Sequence, residues 1–232
     1  VLDTAEWLEE QDFEVVRLPV SSEGLIDLDM ATAAIDADTA LVAVMLVNNE
    51  IGVIQPVGEL ARCAHQAGAL MLCDAVQGFG RMTIPDGPDL VAVSGHKIHG
   101  PKGVGGLWMR AGAEPAPLLQ GGGQEQGIRS GTLSPSLCTG LGEAARLAAE
   151  RREADVAHVE KLSEIALTTL GQGWIINGST TNRYHGNLNL RREVLDGARL
   201  ISDMRNIAFS LGSACASRSG RPSHLLHAIV PP

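Results

Sequence analysis

The sequence lacks the cysteine spacing of a metal site or of a domain held together by disulfides. Its 232 residues include four cysteines, Cys63, Cys73, Cys138 and Cys215, with no C-x-x-C pair and no cysteine-histidine cluster at zinc spacing. A chain of this length can build a core without disulfides. We therefore expect no metal site, and we interpret the first three cysteines, which lie in apolar or helical patterns, as small core residues.

Long apolar runs and an excess of positive charge are also missing. The longest apolar runs, such as residues 41–47, are too short to span a bilayer, and no charged and then apolar segment of the secretory type opens the chain. The formal net charge is -9, from 27 acidic and 18 basic residues, which argues against a protein that holds nucleic-acid phosphates. These absences predict a cytoplasmic protein that binds neither a membrane nor a nucleic acid directly.

The glycine-rich stretches do not carry a nucleotide-binding fingerprint. G-P-K-G-V-G-G lacks the ending of a P-loop, and neither it nor G-G-G-Q-E-Q-G gives G-x-G-x-x-G at a strand-to-helix turn. Backbone amides here, with the hydroxyls of Ser94 and residues 130–132, are still suited to a single phosphate. Tight turns between strands explain G-V-G-G-L-W equally well.

The first two thirds of the chain alternate between apolar stretches of strand length and segments of helical period. This alternation predicts a mostly parallel sheet covered by helices. Strands are expected at E-V-V-R-L, L-V-A-V-M-L-V, A-L-M-L-C-D, D-L-V-A-V-S and G-V-G-G-L-W-M. One helix is expected to open with Pro56 at its first position and to stop at Gly68.

The pattern changes from Pro135 onward to a long polar helical stretch that continues to about Leu170. N-L-N-L is then predicted as a strand, A-R-L-I-S-D-M as a helix and I-A-F-S-L as a strand, which together indicate a smaller α+β unit. We predict a large domain over residues 1–152 and a small C-terminal domain over residues 153–232, with the boundary near Arg152.

Polar side chains follow three of the predicted strands, where ligands gather in open α/β sheets. Asn48, Asn49 and Glu50 follow the first; Asp74 and Gln77 the second; Ser94, His96 and Lys97 the third. A carboxylate such as Asp74 needs a cation nearby, or else it caps the segment that follows. Lys97 is either a desolvated nucleophile or a structural ion-pair lysine. An amine, an acid and phosphate-binding hydroxyls together match the needs of pyridoxal phosphate.

At this point the sequence resembles the cysteine desulfurases of the NifS/IscS type, which belong to the aminotransferase class V family. The stretches that carry the resemblance are V-N-N-E-I-G, D-A-V-Q, S-G-H-K-I-H-G-P-K-G-V-G, G-G-G-Q-E-Q-G-I-R-S-G-T and G-S-A-C-A-S with P-S-H-L-L-H-A-I. The resemblance implies an α/β protein of fold type I of the pyridoxal phosphate enzymes. That fold has a mostly parallel sheet of the seven-stranded type, helices on both faces and a smaller C-terminal α+β domain.

The resemblance also implies roles around the cofactor, pyridoxal 5'-phosphate. Lys97 would bind the cofactor aldehyde, and Asp74 would pair with the pyridinium nitrogen so that the ring can act as an electron sink. Asn49 and Gln77 would form hydrogen bonds with the phenolic oxygen.

The phosphate would be held from two chains. Ser94 and His96 would bind it within one subunit, and Thr132 would reach the phosphate of the partner subunit. The resemblance therefore implies a homodimer with shared active sites.

Cys215 is flanked by small residues, which we interpret as a loop that offers little for core packing. By the mechanism of the family, L-cysteine displaces Lys97, whose freed amine removes the α-proton. Cys215 would then attack the substrate sulfur, hold it as a persulfide and release alanine. The sulfur would pass to an acceptor such as an iron-sulfur scaffold or a tRNA-thiolating enzyme.

Three elements of the family pattern are not found in these 232 residues. They are an upstream Gly-Ala-Thr phosphate loop, a histidine that stacks on the cofactor ring and a downstream arginine that binds the substrate carboxylate. We expect the chain as given to bind the cofactor weakly and to turn over poorly. The alternatives are another class V enzyme, such as a selenocysteine lyase or an aminotransferase, and a non-catalytic dimerising fragment.

Overall fold

The computed structural model describes residues 2–211 and 223–230. Its helices are α1 (Leu2–Glu9), α2 (Leu28–Ala34), α3 (Val57–Ala67), α4 (Pro135–Leu170), α5 (Gly197–Asp203) and α6 (His224–Ile229). Its strands are β1 (Leu41–Met45), β2 (Leu70–Asp74), β3 (Leu90–Ser94), β4 (Gly105–Met109), β5 (Ile175–Ile176) and β6 (Leu190–Arg191). Two 3-10 turns, Gly95–Ile98 and Gln124–Gly127, complete the regular elements of this part of the chain.

The main sheet has the strand order β1-β2-β3-β4. β1 pairs with β2 and β2 with β3 in parallel, whereas β4 runs antiparallel to β3. Met45 is paired with Asp74, and Asp74 with Ala92, so the carboxyl ends of β1, β2 and β3 meet at one edge. The predicted α/β class with a mostly parallel sheet is confirmed, and its antiparallel member follows the turn that carries Lys97.

The core lies between α3 and the sheet. α3 buries the face formed by Val57, Leu60, Ala61 and Ala64, and Met71 of β2 is buried in the same cluster. Leu60 is fully buried, which contributes about 2 kcal/mol relative to an exposed side chain. This packing fixes the position of β2 and therefore of Asp74 at its end.

The ends of α3 follow the sequence closely. Gly68 ends the helix in the left-handed conformation, with φ 85°, as its missing Cβ allows. Pro56 was expected at the first helical position, but it occupies the N-cap, and Val57 is the first helical residue. The shift of one residue leaves the helix, its buried face and its end unchanged.

Two predicted strands do not form. E-V-V-R-L lies in irregular chain, and the adjacent Val20 makes only an isolated bridge with Ile26. I-A-F-S-L is not part of a strand either. Val16 is 58% exposed and Ile207 52% exposed, whereas Leu18, at the end of the first segment, packs against the core without strand pairing. High β-propensity does not form a strand without a partner to pair with.

α4 is a single helix of 36 residues, and Arg152 lies within it. The predicted division into residues 1–152 and 153–232 therefore falls inside one continuous helix, and it stays a prediction. In the region that is described, no helix combines the length and the apolar composition needed to cross a membrane. Beyond α4, the short β5–β6 pair and α5 lie where the sequence predicts a small α+β unit.

Candidate active site

Three strand ends bring the predicted functional side chains to one edge of the sheet. Asp74 is the last residue of β2 and Ser94 the last of β3, while Asn49 follows β1 by four residues. Because β1, β2 and β3 are parallel and adjacent, these positions share one edge. The 3-10 turn Gly95–Ile98 continues directly from β3 and carries Lys97.

The turn that carries Lys97 is tied to the start of β4. Gly95 N donates to Val104 O at 3.0 Å, and Gly100 N donates to Gly95 O at 2.9 Å. A Cβ on Gly95 would lie 3.1 Å from both Pro101 O and the Val104 side chain, so a larger residue would force these neighbours to shift. Lys97 is half-buried, and its Nζ has no hydrogen-bond or ion-pair partner among residues 2–211 and 223–230.

One carboxylate oxygen of Asp74 binds the backbone of the turn that follows β2. Its Oδ1 accepts a hydrogen bond from Val76 N at 2.9 Å, which is the capping role that the sequence left open. The side chain is half-buried, and it forms no ion pair with Lys97. Within the described residues, an acid and an amine therefore stand on adjacent strand ends without neutralising each other.

Ser94 and His96 form a hydroxyl-imidazole pair beside this edge. Ser94 Oγ lies 2.9 Å from Nδ1 of His96, which restrains the orientation of the ring. Ser94 is half-buried, whereas His96 is exposed to solvent. A hydroxyl and an imidazole of this kind are suitable donors to a phosphate.

Gln77 is held by an arginine that the sequence reasoning did not identify. Arg81 NH1 donates to Gln77 Oε1 at 2.6 Å and to Gln77 O at 2.9 Å, and Arg81 NH2 donates to Lys97 O at 3.0 Å. The guanidinium carbon lies 5.2 Å from the centroid of the Tyr184 ring. The spacing of four residues in D-A-V-Q-G-F-G-R was the signal available for the contact between Gln77 and Arg81.

The turn that contains Asn49 is held by a second group of residues that the sequence reasoning missed. Three side chains of residues 183–189, which we call the carbonyl clamp, donate to three successive carbonyl oxygens of this turn. The bonds run from Asn187 Nδ2 to Asn49 O at 2.9 Å, from Asn189 Nδ2 to Glu50 O at 3.0 Å and from Arg183 NH2 to Ile51 O at 3.0 Å.

Arg183 is the buried member of this clamp. Arg183 is only 6% exposed, and burial lowers the pKa of its guanidinium from the ordinary value. It also donates to Ser179 O and Asn187 O, so its two terminal nitrogens bind three carbonyl oxygens in all. Glu50 Oε2 is the buried side-chain oxygen of the described residues that has no hydrogen-bond partner. The segment R-Y-H-G-N-L-N therefore fixes the backbone from which the exposed Asn49 side chain projects.

Two predicted site residues are not brought to this edge by the described structure. Thr132 is exposed in the irregular segment between the 3-10 turn Gln124–Gly127 and α4, and its role toward a partner subunit stays a prediction. Cys215 lies outside the described residues, so its predicted role also stays a prediction.

The remaining cysteines differ from one another in their surroundings. Cys73 is buried in the core, and burial together with the charge of Asp74 raises the pKa of its thiol to about 11. Cys63 is half-buried, with its Sγ 3.4 Å from Thr32 Oγ1. The prediction that Cys138 is a core residue is wrong, because it lies on an exposed face of α4. The helical pattern alone did not distinguish its two faces.

The residue types at the edge of the sheet fit pyridoxal phosphate. The cofactor requires an amine for its aldehyde, an acid for its ring nitrogen, and polar donors for its phosphate and its phenolic oxygen. Lys97 and Asp74 supply the first two and are not engaged with each other. The hydroxyl-imidazole pair and the Gln77 amide supply donors. No cluster of three or more metal-ligating side chains occurs in the part of the chain that the structure describes.

Comparisons with known proteins identify the family of the chain. The family model of aminotransferase class-V matches residues 2–229. The chain is 43% identical to the probable mitochondrial cysteine desulfurase of Schizosaccharomyces pombe, over 99% of this chain and 47% of that protein. The chain spans about half the length of the curated relatives it matches.

Solved structures with the same fold extend the comparison. The crystal structure of DndA from Streptomyces lividans aligns with a TM-score of 0.85 and 32% identity, covering 100% of this chain and 68% of that one. The structure of SspA in complex with cysteine aligns with a TM-score of 0.84 and 33% identity, covering 100% of this chain and 66% of that one. These similarities confirm fold type I of the pyridoxal phosphate enzymes, and the chain belongs to the aminotransferase class-V family, among relatives of the cysteine desulfurases.

Proposed function

We propose that the protein is a pyridoxal-phosphate-dependent cysteine desulfurase, which converts L-cysteine to L-alanine and transfers the sulfur to Cys215 as a persulfide. The observation that carries the proposal is the pair formed by Asp74 and Lys97, which stand on adjacent strand ends and do not neutralise each other. Relatives named cysteine desulfurase and a similar structure in complex with cysteine support this choice of substrate.

The cofactor-binding roles follow from the donor set. Lys97 is proposed to bind the aldehyde, and the Asp74 carboxylate to keep the ring nitrogen protonated. Asn49 and Gln77 are proposed to donate to the phenolic oxygen. When bound, pyridoxal phosphate withdraws electrons from the α-carbon of an amino acid.

The Lys97 amine is proposed to serve also as the base that removes the α-proton of the substrate. A lysine in an ion pair is held as an ammonium, which must lose its proton before it can act as a base. The Nζ of Lys97 is free of such a partner among the described residues, and it is half-buried. Ser94 and His96 are proposed to hold the phosphate and so to keep the aldehyde of the cofactor within reach of Lys97.

Cys215 is the proposed acceptor of sulfur. Its thiolate would attack the sulfur of L-cysteine, so that a sulfur-sulfur bond forms while the carbon-sulfur bond of the substrate breaks. The bonding pair stays on the substrate carbon, which gains a proton and becomes the methyl group of alanine. The residues beside Cys215 in G-S-A-C-A-S are all small, which is the sequence feature that supports this role.

The assembly and the partners are further parts of this proposal. We propose a homodimer in which Thr132 contacts the phosphate of the partner subunit, and a sulfur acceptor that is an iron-sulfur scaffold or a tRNA-thiolating enzyme. We also propose a cytoplasmic location, on the ground that Cys63, Cys73 and Cys138 are free thiols. Light scattering of the protein with and without cofactor tests the dimer, and cell fractionation tests the location.

The decisive experiment measures alanine and persulfide from L-cysteine in the presence of pyridoxal phosphate. The 232-residue chain is expected to release alanine at a low rate and to carry a persulfide on Cys215, whereas Cys215→Ala is expected to bind cofactor equally well and to transfer no sulfur. Full alanine production by Cys215→Ala would indicate another class V enzyme, such as a selenocysteine lyase or an aminotransferase. Absence of cofactor binding by the native protein would indicate a non-catalytic dimerising fragment.

A further inference from the structure

We propose that Arg81 is a positioning residue of the cofactor site, which orients the Gln77 amide and holds the turn that carries Lys97. It acts through these two residues and not by touching the cofactor. The inference rests on the proposed function, because it requires pyridoxal phosphate to bind at these strand ends.

The first step concerns the direction of the Gln77 amide. Arg81 NH1 lies 2.6 Å from Gln77 Oε1, and a guanidinium has only donors, so the oxygen of the amide must face it. The Nε2 group of Gln77 is then the atom left to face elsewhere. A phenolic oxygen that carries negative charge needs an N–H donor and would be repelled by an amide oxygen. Arg81 therefore selects the amide orientation that a phenolate can use.

The second step concerns the backbone at Lys97. The other terminal nitrogen of Arg81 donates to Lys97 O at 3.0 Å, within the 3-10 turn Gly95–Ile98. One planar group thus joins Gln77 to Lys97, which lies twenty positions further along the chain. A lysine ammonium concentrates its charge at one point and cannot reproduce this fork.

The third step concerns what holds Arg81 itself. Its guanidinium lies over the ring of Tyr184, at 5.2 Å from the centroid, and both side chains are half-buried. Tyr184 follows Arg183 of the carbonyl clamp, and Tyr184 N donates to Gly52 O at 2.8 Å. Tyr184 therefore contacts both groups: its backbone binds Gly52 beside the Asn49 turn, and its ring packs against Arg81, which binds Gln77.

The test compares Arg81→Met with the matched control Arg62→Met. The Arg62 side chain is 72% exposed on α3, where it forms only a 3.6 Å ion pair with Glu59. Pyridoxal phosphate is titrated into cofactor-free protein and followed by its absorbance. Arg81→Met is expected to raise the dissociation constant of the cofactor by about tenfold, which is the loss of one charge-assisted hydrogen bond. Arg62→Met is expected to leave it unchanged.

A double-mutant cycle separates positioning from a general structural effect. In a Gln77→Leu background there is no amide to orient, so Arg81→Met is expected to raise the dissociation constant by only about threefold. Melting temperatures of the cofactor-free variants measure the structural part separately. The same cycle is run with Arg81→Lys, which keeps the charge and is expected to recover only part of the affinity in the native background. If Arg81→Met does not fold, the dissociation constants of Arg81→Lys in the two backgrounds are compared instead.

Each result supports or overturns the inference. If Arg81→Met raises the dissociation constant by the same factor in the native and the Gln77→Leu backgrounds, Arg81 only stabilises the fold. An unchanged dissociation constant in Arg81→Met would overturn the inference outright. If the native protein itself does not bind pyridoxal phosphate, the proposed function fails and the inference falls with it. That failure is visible before any variant is made, so the two failures are distinguishable.

Discussion

Replacing Asp89 by asparagine is expected to lower the free energy of unfolding by about 2 kcal/mol at neutral pH. Asp89 directly precedes β3, at the opposite end of the strand from Ser94, and it is 5% exposed. Its Oδ2 accepts from Met71 N and lies 2.8 Å from His65 Nε2, while its Oδ1 lies 3.0 Å from Arg110 Nε. Asparagine keeps an oxygen for Met71 N but loses the charge that His65 and Arg110 face.

The size of this loss in unfolding free energy depends on how exposed the two partner side chains are to solvent. The side chains of His65 and Arg110 are 41% and 48% exposed, so water solvates them once the carboxylate is gone. This places the loss below the 3–5 kcal/mol or so that follows when an enclosed ion pair is broken. The matched control is Glu59→Gln, which removes an exposed ion pair and is expected to cost less than about 0.5 kcal/mol.

The pH dependence provides the sharper test. Burial alone would raise the pKa of Asp89, but hydrogen bonds from His65 and Met71 N and the charges of His65 and Arg110 outweigh it, so the pKa lies below its ordinary value. A carboxyl with a lowered pKa in the folded state stabilises the protein above the unfolded pKa, about 3.9, and this stabilisation is lost as the pH falls through the folded pKa.

Urea unfolding of the native protein and of Asp89→Asn, followed by circular dichroism from pH 7 downward, measures both effects. The difference between the two proteins should shrink as the pH falls below about pH 4. A difference that stays constant through this acid range, or one below about 0.5 kcal/mol at pH 7, would refute the reasoning.

Two further predictions concern the candidate site. Asp74→Asn should bind pyridoxal phosphate but lower alanine production from L-cysteine by about 100-fold or more, because an amide cannot keep the ring nitrogen protonated; unchanged turnover numbers would contradict the role of Asp74. Asn187→Ala should raise the dissociation constant of the cofactor by about threefold, because the turn at Asn49 loses a hydrogen bond, and the far-ultraviolet circular dichroism should stay unchanged. The control is Asn182→Ala, because the Asn182 side chain is exposed next to the clamp. Equal effects of the two variants in a cofactor titration would argue against the clamp.

The edge of the sheet could be predicted from the sequence because each of its parts is local. Apolar runs of strand length end in polar residues, and parallel strands place those ends together, so the common location of Asp74, Ser94 and Lys97 could be predicted without coordinates. The helix end at Gly68 was likewise predicted from a single residue type.

The side-chain contacts that hold the turns at this edge in place could not be predicted in the same way. Arg183 reaches Ile51 across 132 positions, and Arg81 reaches Lys97 across 16, and no short motif encodes such contacts. The two strands predicted at residues 14–18 and 207–211 failed for the related reason that β-propensity is local whereas strand pairing is not. Cys138 shows the same limit on a helix, where the period did not reveal which face would be covered.

Reduction of the cofactor-loaded protein with borohydride, followed by peptide mapping, tests the central claim most directly. The sequence contains three lysines, of which Lys102 and Lys161 are exposed, so the labelled position is easily assigned. We predict that the cofactor becomes covalently attached to Lys97, that Lys97→Arg abolishes the label and that Lys102→Arg leaves it unchanged. A label distributed over the exposed lysines, or one that survives in Lys97→Arg, would contradict the account.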